Sequence, residues 1–115
     1  MSSEVQLPVR SSDLAVTFAA LGDQRRLSIL ERLHGAESLS VSVLCDGMGV
    51  SRQAVSKHLK TLSAAQLVSA RKSGRETLYS LERESLDDAK SYLIEIGQKW
   101  DDAIGRLRTF VENKE

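Results

Sequence analysis

Apolar side chains recur at helical spacing in several stretches of this chain, and the sequence therefore predicts a mainly α-helical fold. The first helix begins at Ser11 or Ser12, either of which can act as an N-cap, and it ends near Gly22. The ten residues before it show no period and contain the only proline, so we interpret residues 1–10 as a flexible arm. The apolar positions of the first helix are Leu14, Ala15, Phe18, Ala19 and Leu21.

Two more helices are predicted to follow closely. Asp23 can cap the second helix, and Gly35 ends it. Ser40 can cap a third, short helix that ends at Gly49. The predicted core side of the second helix is Leu27, Ile29, Leu30 and Leu33. The apolar residues of the third are Val41, Val43, Leu44 and Met48.

Residues 51–62 predict a fourth helix with two chemically different faces. Ser51 is a preferred N-cap, and Gly49 supplies the turn before it. Because the third and fourth helices meet across this tight turn, the sequence predicts a helix-turn-helix. The face predicted to pack inward is Ala54, Val55, His58, Leu59 and Leu62. The opposite, polar face is Arg52, Gln53, Ser56, Lys57 and Lys60.

After Leu62 the apolar period changes from helical to alternating. Two short strands are predicted at Leu67–Arg71 and Thr77–Leu81. Gly74, between them, can adopt the positive φ that a tight hairpin turn requires. The sequence thus predicts a small β-hairpin with a basic tip directly after the fourth helix.

The last helix is predicted over about residues 85–113, where SLDD at Ser85–Asp88 forms a capping-box pattern. Its length of about 42 Å exceeds what a small helical head needs, so we expect it to pack on the first helix and on a second copy of the chain. Gly97 and Gly105 predict a bend or a break within it. The apolar residues alternate at spacings of three and four, as in a packed helical seam, and are Leu86, Ala89, Leu93, Ile96, Trp100, Ala103, Leu107 and Phe110.

The composition is that of an ordinary globular protein, and residues 11–115 are expected to form a single domain. The chain contains no run of about 20 apolar residues, the length that is needed to span a bilayer. The N-terminus lacks the pattern of a secretory signal, and the single Cys45 cannot form an internal disulfide, so a cytoplasmic location is expected. No phosphate-binding glycine loop, metal-ligand cluster or nucleophile elbow appears, and neither an enzyme nor a cofactor is expected.

The formal net charge of zero conceals an uneven distribution. Residues 51–76 carry six basic side chains and one acidic side chain, a net charge of +5, whereas residues 1–50 carry −2 and residues 77–115 carry −3. A basic centre between acidic flanks is typical of a surface that contacts phosphates in one orientation. Arg and Gln at the start of a helix can reach guanine and adenine edges, while Ser and Lys can hold phosphates. Double-stranded DNA is therefore the expected partner.

Over about residues 13–112 the chain resembles the ArsR/SmtB family of winged-helix bacterial transcription regulators. The resemblance rests on FAALGDQRRLSILERL at Phe18–Leu33, on SRQAVSKHLKTLSAAQLV at Ser51–Val68, and on RKSGRETLYSL at Arg71–Leu81. It implies a homodimer, joined through the first and last helices, that binds a palindromic operator as a repressor with two recognition helices in successive major grooves. An unknown small molecule or protein would act as the effector that releases it.

The resemblance also implies roles for individual residues. Trp100 either belongs to the seam or lines a small-ligand pocket between subunits. The residues expected to read bases are Arg52, Gln53, Ser56 and Lys57. Those expected to contact the DNA backbone, or to act from the wing, are Ser51, His58, Lys60, Arg71, Lys72 and Arg75. Those expected at the dimer interface are Leu14, Phe18, Leu86, Leu93, Ile96, Trp100, Leu107 and Phe110.

Many relatives in this family sense metals, and this chain departs from their motifs. The thiolate pair of the family's third helix falls on Ser40 and Ser42, and the last helix contains no histidine. Cys45 alone supplies too few ligands for a thiophilic metal. The ending QKWDDAIGRLRTFVE, Gln98–Glu112, is similar to a branch without recognisable metal motifs, so no metal site is expected.

Two alternative functions remain open at the level of the sequence. The first is a protein-binding winged-helix module, such as an anti-repressor, that holds another regulator in place of DNA. The second is a DNA-binding regulator whose Cys45 responds to oxidation.

Overall fold

The computed structural model describes residues 11–113, with side chains described from residue 13. The predicted arm at residues 1–10 and the predicted caps Ser11 and Ser12 fall outside the described side chains. In chain order the elements are α1 (Ser11–Leu21), α2 (Gln24–His34), β1 (Leu39–Ser40), α3 (Val41–Cys45), α4 (Arg52–Ala64), β2 (Val68–Ser73), β3 (Glu76–Leu81) and α5 (Arg83–Glu112). The mainly α-helical winged architecture predicted from the sequence is confirmed.

The hydrophobic core lies where α2, α3 and α4 meet the sheet. On α4 the prediction is confirmed, because Val55, Leu59 and Leu62 are fully buried. His58 and Ala54 are only partly buried at the edge of this face. The buried cluster consists of Ala20, Ile29, Leu30, Leu33, Leu44, Val55, Leu59, Leu62, Ala65, Leu67 and Val68.

The predicted β-hairpin is present, and a third strand completes a small antiparallel sheet in the order β1-β3-β2. The pairing of Ser73 with Glu76 leaves a two-residue turn in which Gly74 has a φ of 64°, as predicted. The strands extend further toward the turn than predicted. Strand β1 pairs Leu39 with Tyr79 and was not predicted, because two residues cannot show an alternating pattern.

Three of the predicted apolar faces need correction. Leu27 is 45% exposed, because Arg26 shares the inward face of α2 with Ile29, Leu30 and Leu33. Helix α3 ends at Cys45, well before the predicted Gly49, and Val43 is exposed. On α1, Ala15 and Ala19 are exposed. The buried face of α1 includes Leu14, Ala20 and Thr17, whose hydroxyl donates to the Asp13 carbonyl at 3.0 Å.

Helix α5 begins at Arg83, two residues before the predicted capping box, so that prediction was wrong. Its N-cap, Glu82, makes no side-chain capping bond, and Ser85 lies within the first turn. The helix continues without a break through Gly97 and Gly105 for 30 residues, or about 45 Å. It packs on α1, where Ala89 is buried and the rings of Phe18 and Tyr92 lie 6.0 Å apart.

Candidate nucleic-acid interface

Helix α4 presents a polar face to solvent. The Ser51 hydroxyl accepts a hydrogen bond from the Ala54 backbone N–H at 3.1 Å, which fixes where the helix begins. Three apolar residues anchor the other side in the core, so the orientation of the helix is set by burial. All the residues of the predicted polar face are exposed, namely Arg52, Gln53, Ser56, Lys57 and Lys60.

The turn that leads into α4 is held by an arginine on α2. Arg32 donates from Nη1 to the Leu44 carbonyl at 3.0 Å and also to the Asp46 carbonyl. These carbonyls lie at the C-terminal end of α3, where helical backbone oxygens have no partner within the helix. Gly49 then reverses the chain with a φ of 75°. The guanidinium thereby joins the turn of the helix-turn-helix to the core helix beneath it.

A groove of about 530 Å³ separates the polar face of α4 from the sheet. The Lys57 and Lys60 side chains line it from the helix, and Tyr79 lines it from β3. Two ammonium groups in an open groove favour an anionic chain over a neutral ligand. Tyr79 and Ser63, which also line the groove, were not among the predicted residues, because only the packing of α4 on the sheet brings them there.

The basic residues of the hairpin are exposed at its outer end, as expected of a wing. Arg71 pairs with Leu78 and Lys72 pairs with Thr77 across the two strands. Because successive side chains on a strand point to opposite faces, these two cations lie on different faces of the wing. Arg75 occupies the turn itself.

His58 is placed differently from the other predicted DNA contacts. It is half-buried beside α2, and its Nδ1 lies 3.3 Å from Nη1 of Arg26. Arg26 was not singled out from the sequence. One signal was available: it falls at the helical spacing of Ile29, Leu30 and Leu33, and a charged residue on an inward face needs internal partners.

Asp23 caps α2 by accepting from the backbone N–H groups of Arg26 at 3.1 Å and Arg25 at 2.9 Å. The bond from the Arg26 backbone is the main cause of a lowered pKa for the Asp23 carboxyl. Desolvation opposes this shift, while the Arg25 backbone bond and the positive charge of Arg26 lower the pKa further. A carboxylate and a guanidinium thus lie close to the inner side of α4.

The residues predicted at a dimer interface divide into two groups. Leu14 is only 9% exposed and Phe18 and Leu86 are partly buried, so these three already pack within the chain. The rest of the predicted seam on α5 is open to solvent, with Trp100 67% exposed. The exposed members are Leu93, Ile96, Trp100, Leu107 and Phe110.

Ser40, one of the two positions that the sequence resemblance compares with a thiolate pair, has a structural role. The Ser40 hydroxyl accepts from the Val43 backbone N–H at 3.3 Å as the N-cap of α3. Cys45 packs against the core with its Sγ donating to the Ser42 carbonyl at 3.6 Å. These side chains do not fit a thiophilic metal, and residues 11–113 contain no group of three or more potential metal ligands. Within the same residues, no helix is both long and apolar enough to cross a membrane.

A helix-turn-helix followed by a basic hairpin defines a winged helix-turn-helix protein. A family model described as a helix-turn-helix domain matches residues 21–69. HTH-type transcriptional regulator Rv2034 of Mycobacterium tuberculosis is 46% identical over 74 residues, which cover 64% of this chain and 65% of that protein. The transcriptional repressor SmtB homolog of Synechocystis is 39% identical over 82 residues, covering 68% and 61%. The chain therefore spans less than two thirds of the length of these curated relatives.

The structural similarity extends over more of the chain. An ArsR-like transcriptional regulator from Rhodococcus superposes with a TM-score of 0.76 at 38% identity, covering 86% of this chain and 92% of that one. This chain belongs to the ArsR/SmtB family of winged-helix transcriptional regulators, as the sequence resemblance implied. The family is one of DNA-binding regulators and not of enzymes.

Proposed function

We propose that this chain is a homodimeric repressor that binds a palindromic DNA operator through α4 and the wing, without a metal at the known family sites. The observation that carries this proposal is the exposed polar face of α4, from Arg52 to Lys60, next to a cation-lined groove. Such a face offers both the side chains that read base edges and those that neutralise phosphates.

Base reading is assigned to Arg52, Gln53, Ser56 and Lys57 because they occupy the first two turns of α4. The N-terminal part of a recognition helix is the part that enters the major groove. Lys60 faces the groove beside the sheet and suits a phosphate. Ser51, His58, Arg71, Lys72 and Arg75 complete the proposed backbone and wing contacts.

The second half of the proposal is a dimer through α5 and the outer side of α1. An apolar stripe that includes Trp100 and Leu107 remains exposed along α5 in the single chain. A stripe of this length on a 30-residue helix is unfavourable in water and is typical of a protein interface. We further propose that an effector, a small molecule or a protein, acts on this dimer in the cytoplasm to release the operator.

Selection from random duplexes tests DNA binding directly. The wild-type chain should enrich a palindrome whose half-sites lie about one helical turn apart, 34–36 Å. Enrichment of no sequence, together with an affinity that does not change with salt, would contradict the proposal and favour the protein-binding alternative.

A matched pair of lysine variants separates a phosphate or base contact from a general charge effect. Lys60→Gln should weaken operator binding and lower the slope of log affinity against log salt by about 1, because Lys60 is the proposed phosphate contact. Lys90→Gln removes an equal charge from the exposed surface of α5 and should leave both quantities near wild type. If both variants lost operator affinity equally, the proposal that α4 is the recognition helix would be contradicted.

A further inference from the structure

Arg26 joins three helices through its guanidinium. Its Nε donates to the Ala20 carbonyl at 2.7 Å, and its Nη2 donates to the Ala19 carbonyl at 3.3 Å. Both carbonyls belong to the C-terminal end of α1. On the other side, Nη1 lies 3.3 Å from Nδ1 of His58 on α4. One side chain of α2 therefore connects the end of α1 to the proposed recognition helix.

The contact with His58 determines which ring nitrogen of the imidazole carries the proton. A guanidinium in a protein is always protonated and can only donate hydrogen bonds. The His58 Nδ1 must therefore accept with its lone pair, and the neutral ring then carries its hydrogen on Nε2. Arg26 selects the tautomer whose remaining N–H lies on the side of the ring away from α2.

The Nε2 atom of His58 is available to an external partner. Among residues 11–113 only the Nδ1 atom of this ring has a hydrogen-bond partner. No buried side-chain nitrogen or oxygen in this part of the chain lacks a partner, so Nε2 is reached by solvent. His58 directly follows Lys57, and it is half-buried, so its ring has a fixed side against α2 and a free edge.

We propose that Arg26 is a positioning residue for DNA binding: it holds the His58 imidazole so that Nε2–H donates to a phosphate oxygen of the operator. This inference rests on the proposed function. A single N–H donor held in place by a second side chain loses less conformational entropy on binding than a free lysine does. Lysine cannot replace Arg26, because one ammonium group cannot reach the two α1 carbonyls and the imidazole together.

The wild-type chain provides the first test, with no variant required. Nitrogen-15 NMR of the histidine rings in the folded protein distinguishes the two neutral tautomers by the pattern of proton–nitrogen correlations. We expect His58 to carry its hydrogen on Nε2 and to shift on addition of the operator duplex. A ring protonated on Nδ1 in the free protein would overturn the inference.

The second test is a double-mutant cycle measured as operator affinity. Arg26→Gln and His58→Asn should each weaken binding by roughly threefold to tenfold, as expected for one lost hydrogen bond. The double variant should bind no more weakly than the weaker single variant, because both changes remove the same contact. Losses that multiply would show independent roles and overturn the inference.

Arg25→Gln is the matched control, since it removes a neighbouring, exposed arginine and should change affinity by less than about twofold. Thermal unfolding of each variant identifies any loss of folding. If Arg26→Gln fails to fold, His58→Asn still decides, because a wild-type affinity would overturn the inference. Failure of the wild-type chain to bind any duplex overturns both proposals, whereas normal binding with an unaffected Arg26→Gln overturns this one alone.

Discussion

At the scale of single residues, charged side chains on the inner surfaces of the helices carry the connections between elements. Arg32 holds the turn before α4, and Arg26 holds the end of α1 against α4. Arg32 donates hydrogen bonds to backbone carbonyls, and Arg26 donates to backbone carbonyls and to the His58 imidazole. From the sequence alone, each of these arginines would be interpreted as a surface charge that favours solubility. In the structure, both connect separate elements through hydrogen bonds.

Asp23 gives a prediction for pH. Its pKa is lowered in the folded chain, so the ionised carboxylate stabilises the fold at pH values above 3.8, its ordinary pKa, and this contribution is lost as the pH falls through the lowered value. Asn is also a good N-cap but does not titrate. The free energy of unfolding of Asp23→Asn should therefore depend less on pH than that of wild type below 3.8, as measured by urea denaturation. Parallel curves would show that the cap contributes nothing to acid sensitivity.

At the scale of elements, α4 depends on a single capping side chain. Ser51→Ala removes the acceptor for the Ala54 N–H and should lower the free energy of unfolding by about 1 kcal/mol, measured by chemical denaturation.

Ser51→Asp separates capping from DNA contact. Aspartate caps as well as serine and suits the positive end of a helix, so stability should be kept. Its negative charge at the proposed phosphate contact should nevertheless weaken operator binding. If Ser51→Asp binds the operator as well as wild type does, Ser51 does not lie near the DNA backbone.

The elements also show which parts of the fold can be predicted from sequence. Helix α4 and the hairpin were predictable because a cap, a clear apolar period and a turn glycine all agree there. The start of α5 was not, because Glu82 precedes the helix without a capping bond and the SLDD pattern is a false signal. The turn after α4 could not be predicted either, because its left-handed residue, with a φ of 59°, is Gln66 and not a glycine.

The candidate site, like the fold, could be predicted from the sequence only in part. The polar face of α4 follows from helical periodicity, which is a local property of the sequence. The contact of Arg26 with His58 joins residues separated by 32 positions, and no periodicity relates them. Likewise, Tyr79 enters the groove only because the sheet packs beside α4. Side chains that act through tertiary contacts required the structure.

At the scale of the whole molecule, the exposed stripe on α5 leads to a prediction about assembly. Leu107→Glu should convert a dimer into a monomer in sedimentation experiments, because it would place a charge within the apolar seam. The melting temperature should rise with protein concentration for wild type but not for this variant. Operator affinity should fall as well, since two linked heads bind more tightly than one.

The control for this prediction lies on the same helix. Ile94 is exposed but is rotated by about 100° from Leu93, outside the stripe. Ile94→Glu should therefore remain dimeric and bind the operator normally. Dimers formed equally well by both variants would place the interface elsewhere.

The unbroken course of α5 has a mechanical consequence. An uninterrupted helix of about 45 Å is stiff, so a shift at one end is carried toward the other end. In a dimer joined by two such helices, a molecule inserted near Trp100 would change the distance between the two winged heads. The two half-sites of an operator are separated by a fixed helical repeat of the DNA. If the distance between the two heads no longer matched this repeat, one half-site would lose its contacts, although the residues that touch the bases would be unchanged.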